Sequence, residues 1–194
     1  MERWIGWLAL GVLALLVGCS GSTAPSSAVS PAASPPHEGW STYREAAWGY
    51  SISMPAGWHE VTAGEITPAQ FRHFSAQNVT NVAALTGLDS DGMMLTVIVS
   101  HANSGCPGTQ PPVGWSESTV PAVAINIDGY ASVVSGHQAQ DLSNWGVQAS
   151  AAKGNYCYSF VGLTTNHAAQ IKWAPVFEQM LSTFRFGTPV APPF

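Results

Sequence analysis

The stretch YCYSFVGLT, residues 156–164, restricts the possible architectures more than any other part of the chain. Successive side chains of a strand point to opposite faces. Tyr156, Tyr158 and Phe160 therefore line one face, while Cys157, Val161 and Leu163 line the other. A strand that is apolar on both sides is covered on both sides. A lone meander with one wet face is excluded, and a layered fold with this strand in its middle is expected. Its neighbours read as strands too. Lys153-Gly154-Asn155 turns back to Trp145, Val147, Ala149 and Ala151, which alternate. Val123, Ile125 and Ile127 alternate up to Asp128-Gly129, the dipeptide of a tight hairpin, and Tyr130 to Ser135 returns. Met93 to Ser100 is a strongly apolar strand that follows the turn Asp89-Ser90-Asp91-Gly92.

Upstream, Tyr50, Ile52 and Met54 alternate with Ser51 and Ser53, Pro55-Ala56-Gly57 interrupts, and Trp58 to Thr62 resumes as a short strand. Thr67 suits a helix cap, Pro68 the first helical position and Gln70 a capping box, with Ile66 and Phe71 as a hydrophobic staple. These signals predict a helix near 68–77 that buries Phe71 and Phe74. Ile171, Ala174, Phe177 and Leu181 recur at helical spacing and predict a second helix ending near Ser182. Proline inside a helix forfeits a hydrogen bond, so Pro175 is placed in the first turn. Phe184 and Phe186 finish on a short edge strand. The sum is an α+β fold, an antiparallel β-sheet flanked by helices on both faces.

The other end of the chain has an address. Arg3 precedes an apolar run from Trp4 to Val17, shorter than the roughly 20 residues needed to span a bilayer. It suits a secretory signal. Leu16-Val17-Gly18-Cys19 resembles the lipobox of bacterial lipoproteins, in which the peptide is cut before the cysteine and the thiol receives a diacylglycerol. The resemblance implies a signal peptide over 1–18 and a lipid on Cys19. It also implies anchorage in the cell membrane, facing outside the cytoplasm. Residues 19–39 are dominated by Ser, Ala and Pro and cannot bury enough apolar surface to order themselves. They read as a tether. Residues 40–187 form one domain, with 188–194 as a tail.

With Cys19 assigned to lipid, Cys106 and Cys157 are an even pair outside the cytoplasm, most simply a disulfide; two buried free thiols are the alternative. Charged residues are 9% of the chain, and the basic ones after Cys19 are only Arg44, Arg72, Lys153, Lys172 and Arg185. No basic stripe exists to follow a phosphate backbone, so nucleic-acid binding is excluded.

Three motifs carry a resemblance within the domain: Trp48-Gly49-Tyr50-Ser51-Ile52 with Met54-Pro55 through Trp58, the hairpin Ile127-Asp128-Gly129-Tyr130, and the ending Leu181-Ser182-Thr183-Phe184-Arg185-Phe186. Their order is similar to that of the PsbP-like family, which includes extrinsic photosystem proteins and bacterial lipoproteins of the LpqN type. The resemblance implies an α/β/α sandwich and a non-catalytic accessory role. It covers nearly the whole domain except the segment with Cys106 and Trp115, and it implies no cofactor and no particular ligand.

Catalytic patterns were sought in the remaining residues. Ser150-Ala151-Ala152-Lys153 spells the S-x-x-K of penicillin-recognising enzymes. It ends a strand, however, where residues three apart face opposite ways, and the companion S-D-N and K-T-G are missing. Asp89, Asp91 and Gly92 resemble part of a calcium loop, but Met94 stands where that loop needs glycine. No two of the six histidines stand two to four residues apart, so metal binding would need His59, His101 and His137 to meet through the fold. Trp115 sits between Pro112, Gly114 and Ser116 and reads as a loop aromatic, either touching a partner or folded back on the core. The expectation is a lipid-anchored binding domain for an envelope protein, without catalysis. A small-ligand or metal carrier is the alternative, and an envelope hydrolase comes third.

Overall fold

The computed structural model describes residues 37–62, 70–102, 106 and 110–190. The expected signal segment 1–18, Cys19, most of the expected tether and the expected cap residues Thr67 and Pro68 lie outside these. In chain order the elements are β1 (Ser41–Glu45), β2 (Tyr50–Met54), β3 (His59–Glu60), β4 (Phe71–Ser75), β5 (Met94–His101), β6 (Trp115–Glu117), β7 (Val123–Ile127), β8 (Tyr130–Ala139), β9 (Trp145–Lys153), β10 (Tyr156–Thr164), α1 (His167–Ser182) and β11 (Arg185–Phe186). A large antiparallel sheet runs β3-β4-β5-β10-β9-β8-β6, with β7 also paired to β8, and a small sheet runs β1-β2-β11.

The two-faced strand β10 lies mid-sheet, paired with β5 and β9. Its inner face is covered as the sequence demands. Tyr158 and Phe160, with Leu95, Val97 and Val147, pack against Phe177, Met180 and Leu181 of α1 and against Tyr50 and Ile52 of the small sheet. Each fully buried side chain such as Phe160, Phe177 or Leu181 contributes about 1.5–3 kcal/mol. A Cβ on Gly162 would stand 2.9 Å from Val147 and Met93 atoms and 3.1 Å from the Phe177 ring, so glycine here lets α1 settle on the sheet. The whole core lies within the compact unit Ala33–Phe194, which is thus a folding unit of its own.

Among the described residues the outer face is covered without a helix. Val61, Val79, Leu85 and Leu88 come from strand ends and irregular turns, and they pack with Val82 on Met94 and Leu163 at one end of the sheet. At the other end Cys157 is disulfide-bonded to Cys106, with 5.2 Å between Cα atoms. Among the described residues α1 is the sole helix, so helices on both faces are replaced by a helix with a small sheet on one face and turns on the other.

The helix expected near 68–77 is strand β4 where it is described. Phe74 enters the inner core opposite Leu95, while Phe71 faces outward opposite Ile98. The spacing that mimics a helical stripe instead serves two faces of a sheet, and tertiary pairing overrides the local signal. Pro175 also differs from expectation, since α1 begins at the Asn166 cap, whose Oδ1 accepts the Ala169 N–H at 2.9 Å, and carries Pro175 in its interior. Pro175 lies on the exposed side, where water can serve the Ile171 carbonyl that proline leaves unbonded.

The three motifs noted in the sequence meet in space. Asp128 Oδ2 accepts the Phe186 N–H at 2.9 Å, and the Tyr130 ring stands edge-on to Phe186 at 5.2 Å. Gly49 accepts the Gly187 N–H at 2.6 Å. Gly49 has φ +60°, and a Cβ there would lie 2.4 Å from Pro189 N. The first tail residues are tied down here, with Val190 N–H donating to Ala46 at 3.1 Å.

Candidate functional site

The outer face changes character from its ends to its middle. Between the apolar cluster and the disulfide, the floor consists of Ile98 and Ser100 of β5, Ser159 and Val161 of β10, and Gln148 and Ser150 of β9. Gln110–Val113 passes over it and bounds a hollow of about 510 Å³ that is half open to solvent. The crossing segment is fixed by hydrogen bonds: Gln148 Nε2 donates to the Gln110 carbonyl at 3.1 Å, Trp115 N–H to Pro112 at 2.9 Å and Gln140 N–H to Gly114 at 3.0 Å. Val113 at its tip is fully exposed.

A smaller hollow of about 60 Å³ shares Pro112, Gln148 and Val161 with the first and reaches Trp115 and His137. Trp115, expected in a loop, opens strand β6 opposite Ala139. Its half-buried indole lies 3.7 Å from where a Gly146 Cβ would stand, so it folds over the outer face.

His137 is 2% exposed, and its Nε2 lies 2.9 Å from Ser135 Oγ. No described residue hydrogen-bonds its Nδ1. Burial holds the imidazole below its usual pKa, with the Glu117 charge opposing, so the ring is neutral at pH 7. Glu117 pairs with His137 in register but makes no ion pair with it among the described residues. A serine hydroxyl beside a histidine Nε2 also occurs in acyl-transfer triads, but no described acceptor orients this imidazole through Nδ1. The sequence held a signal for this pair: serine and histidine two apart on one strand share a face.

The three histidines weighed as ligands are not gathered. His59, Ser75, Met94, Leu163, Gly146 and His137 stand in one row across six strands, which separates His59 from His137 by about 24 Å along the sheet. His101 lies at the far end of β5, against the Tyr156 ring at 5.4 Å. Among the described residues no group of three His, Cys, Asp or Glu side chains converges on a metal position.

A charged cluster missed in the sequence joins the two sheets. Arg72 Nε lies 2.7 Å from Glu45 Oε2 and 3.3 Å from Glu60 Oε1, and the Tyr43 hydroxyl donates to the same Glu45 oxygen at 3.0 Å. Burial, with the neighbouring carboxylates, pushes the Tyr43 phenol up to about 12 despite the Arg72 hydrogen bond. The partners of Arg72 lie 12 to 29 positions before it in sequence, so no local spacing announces the cluster.

No family model matches the chain, and neither does any curated protein sequence. Solved structures do. The solution structure of cyanobacterial PsbP (CyanoP) from Synechocystis sp. PCC 6803 matches with a TM-score of 0.50 at 16% identity, over 88% of this chain and 98% of that one. The fold is PsbP-like. The PsbP-like domain is also similar to the Ran-binding protein Mog1p of Saccharomyces cerevisiae, with a TM-score of 0.46 at 8% identity over 76% of this chain and 95% of that one. At such identities the likeness concerns backbone architecture.

Proposed function

We propose that the chain is a lipid-anchored lipoprotein of the LpqN type, acting outside the cytoplasm as a non-catalytic binding domain for an envelope protein. The observation that carries this reading is the Cys106–Cys157 disulfide. Such bonds persist in oxidising compartments, and this one lies just before the segment that exposes Val113 and leads into the half-buried Trp115. The lipobox at Cys19 and the PsbP-like fold support the same reading. Mass spectrometry of the native product is expected to find a mature chain starting at a diacylated Cys19. The tethered domain is expected to capture an envelope protein that the Trp115→Ala variant captures more weakly. A mature chain starting elsewhere, or turnover of an envelope substrate without capture, would overturn the proposal.

The hollow beneath Gln110–Val113 favours a second reading, a carrier of a small organic ligand. The metal form of that reading gains no support, because His59, His101 and His137 stand apart.

A further inference from the structure

Among the described residues no formal charge lines the large hollow: its apolar surface includes Ile98, Val161, Pro111 and Pro112, and its side-chain polar groups are hydroxyls and amides. A charged ligand would lose its hydration there and gain no counter-ion, whereas an apolar body would lose little. The volume, about 510 Å³, falls in the range of roughly 300–1,000 Å³ that small-molecule sites occupy. Across the shared wall of Pro112, Gln148 and Val161 lies His137, 2% exposed and with Nδ1 unbonded by any described residue. A buried polar nitrogen without a partner is a standing cost that a ligand hydrogen bond removes.

We infer that the outer-face hollow is a binding site for an uncharged small molecule with an apolar body and one hydrogen-bonding head, the body lying on Ile98 and Val161 and the head reaching His137. The inference rests on the carrier reading and gives its ligand a chemical class. Gln110–Val113 forms the cover of the site, and the Gln148–Gln110 hydrogen bond holds the cover at its height above the floor.

The test uses the oxidised Ala33–Phe194 unit and N-phenyl-1-naphthylamine, a neutral apolar fluorophore with one N–H, with 1-decanol and decanoate as competitors at neutral pH. The expected result is saturable binding at one site, displaced by decanol and at least about tenfold less well by decanoate. Ser159→Trp, which fills the middle of the floor, is expected to weaken binding about tenfold or more at unchanged Tm. If that variant does not fold, nuclear magnetic resonance of the wild-type unit decides. Probe-induced shifts at Ser100, Gln148 and Ser159 and at the His137 imidazole nitrogens support the site, and shifts confined elsewhere overturn it. Absence of saturable binding, equal competition by decanoate, or wild-type binding by a folded Ser159→Trp variant also overturns it. Partner capture that survives an empty hollow would remove this inference and leave the envelope-binding proposal standing.

Discussion

Breaking the disulfide tests how the domain is held. Cys157 is fully buried within β10, whereas Cys106, four positions before Gln110, is half-buried. Cys106→Ser therefore removes the bond without opening a cavity under the sheet. The bond spans 51 residues. On the chain-entropy account, a loop of that length removes about 14 cal/mol/K from the unfolded chain, or about 4 kcal/mol at 25 °C. For a domain of this size each kcal/mol moves the melting temperature by about 2–4 °C, so Cys106→Ser is expected to melt about 8–16 °C lower. Urea unfolding followed by tryptophan fluorescence measures the difference directly, provided that the slope with denaturant is the same in both proteins. Hydrogen exchange should locate the local part of the effect in Gln110–Val113, whose remaining ties are single hydrogen bonds. Coincident unfolding curves for oxidised wild type and Cys106→Ser would refute the reasoning, because the bond would then constrain nothing that unfolding releases.

Arg72→Met leaves the Glu45 carboxylate buried without its cation and is expected to cost about 3 kcal/mol, at the low end for such pairs because Arg72 reaches solvent. A further Glu45→Leu change should restore much of the loss in a urea double-mutant cycle. Gly49→Ala forces a left-handed residue to carry a Cβ against Pro189, costing at least about 1–2 kcal/mol and releasing Gly187–Val190, which limited proteolysis would register. Burial lowers the pKa of both His73 and His137, with the Arg72 charge adding to the effect at His73. The unfolded chain therefore binds protons first, and stability is expected to fall as pH drops below about 6.5. The fall should be shallower in His73→Gln, whose amide can keep the contact that His73 Nδ1 makes with Thr96 at 2.9 Å. The unit is expected to hydrolyse p-nitrophenyl butyrate no faster than its Ser135→Ala variant; turnover abolished by that substitution would replace the binding reading with acyl transfer.

Strands β5 and β7 to β10 were legible because each carries an apolar run or its own alternation beside a turn with its own chemistry, as at Asp128-Gly129 and Lys153-Gly154-Asn155. Strands β1 and β6 were not, since Ser41–Glu45 and Trp115–Glu117 are short edges with little alternation, the first held by the adjacent β2 and the second by β8 beyond an intervening strand. Strand β4 was misread because Phe71 and Phe74 match a helical stripe, and only the pairing with β5 shows that they belong to opposite faces. The disulfide followed from cysteine number and compartment. The hollow did not, because its floor of serines, glutamine and single valine and isoleucine residues reads in sequence as ordinary alternation. Its ligand-facing quality arises only where Gln110–Val113 crosses above it.

The small sheet joins strands from opposite ends of the domain, since β2 holds β1 on one side and β11 on the other. Ser53 N–H donates to Thr183 Oγ1 across 130 positions, and Arg185 and Phe186 pair with Ser51 and Tyr50. The small sheet is thus complete only when β11, the last element of the domain, has joined β2. On the export reading proposed above, a domain whose small sheet closes last would cross the membrane unfolded and complete that sheet on the far side. A truncation just before Arg185 would lose two residues of strand and, with them, the event that completes the fold.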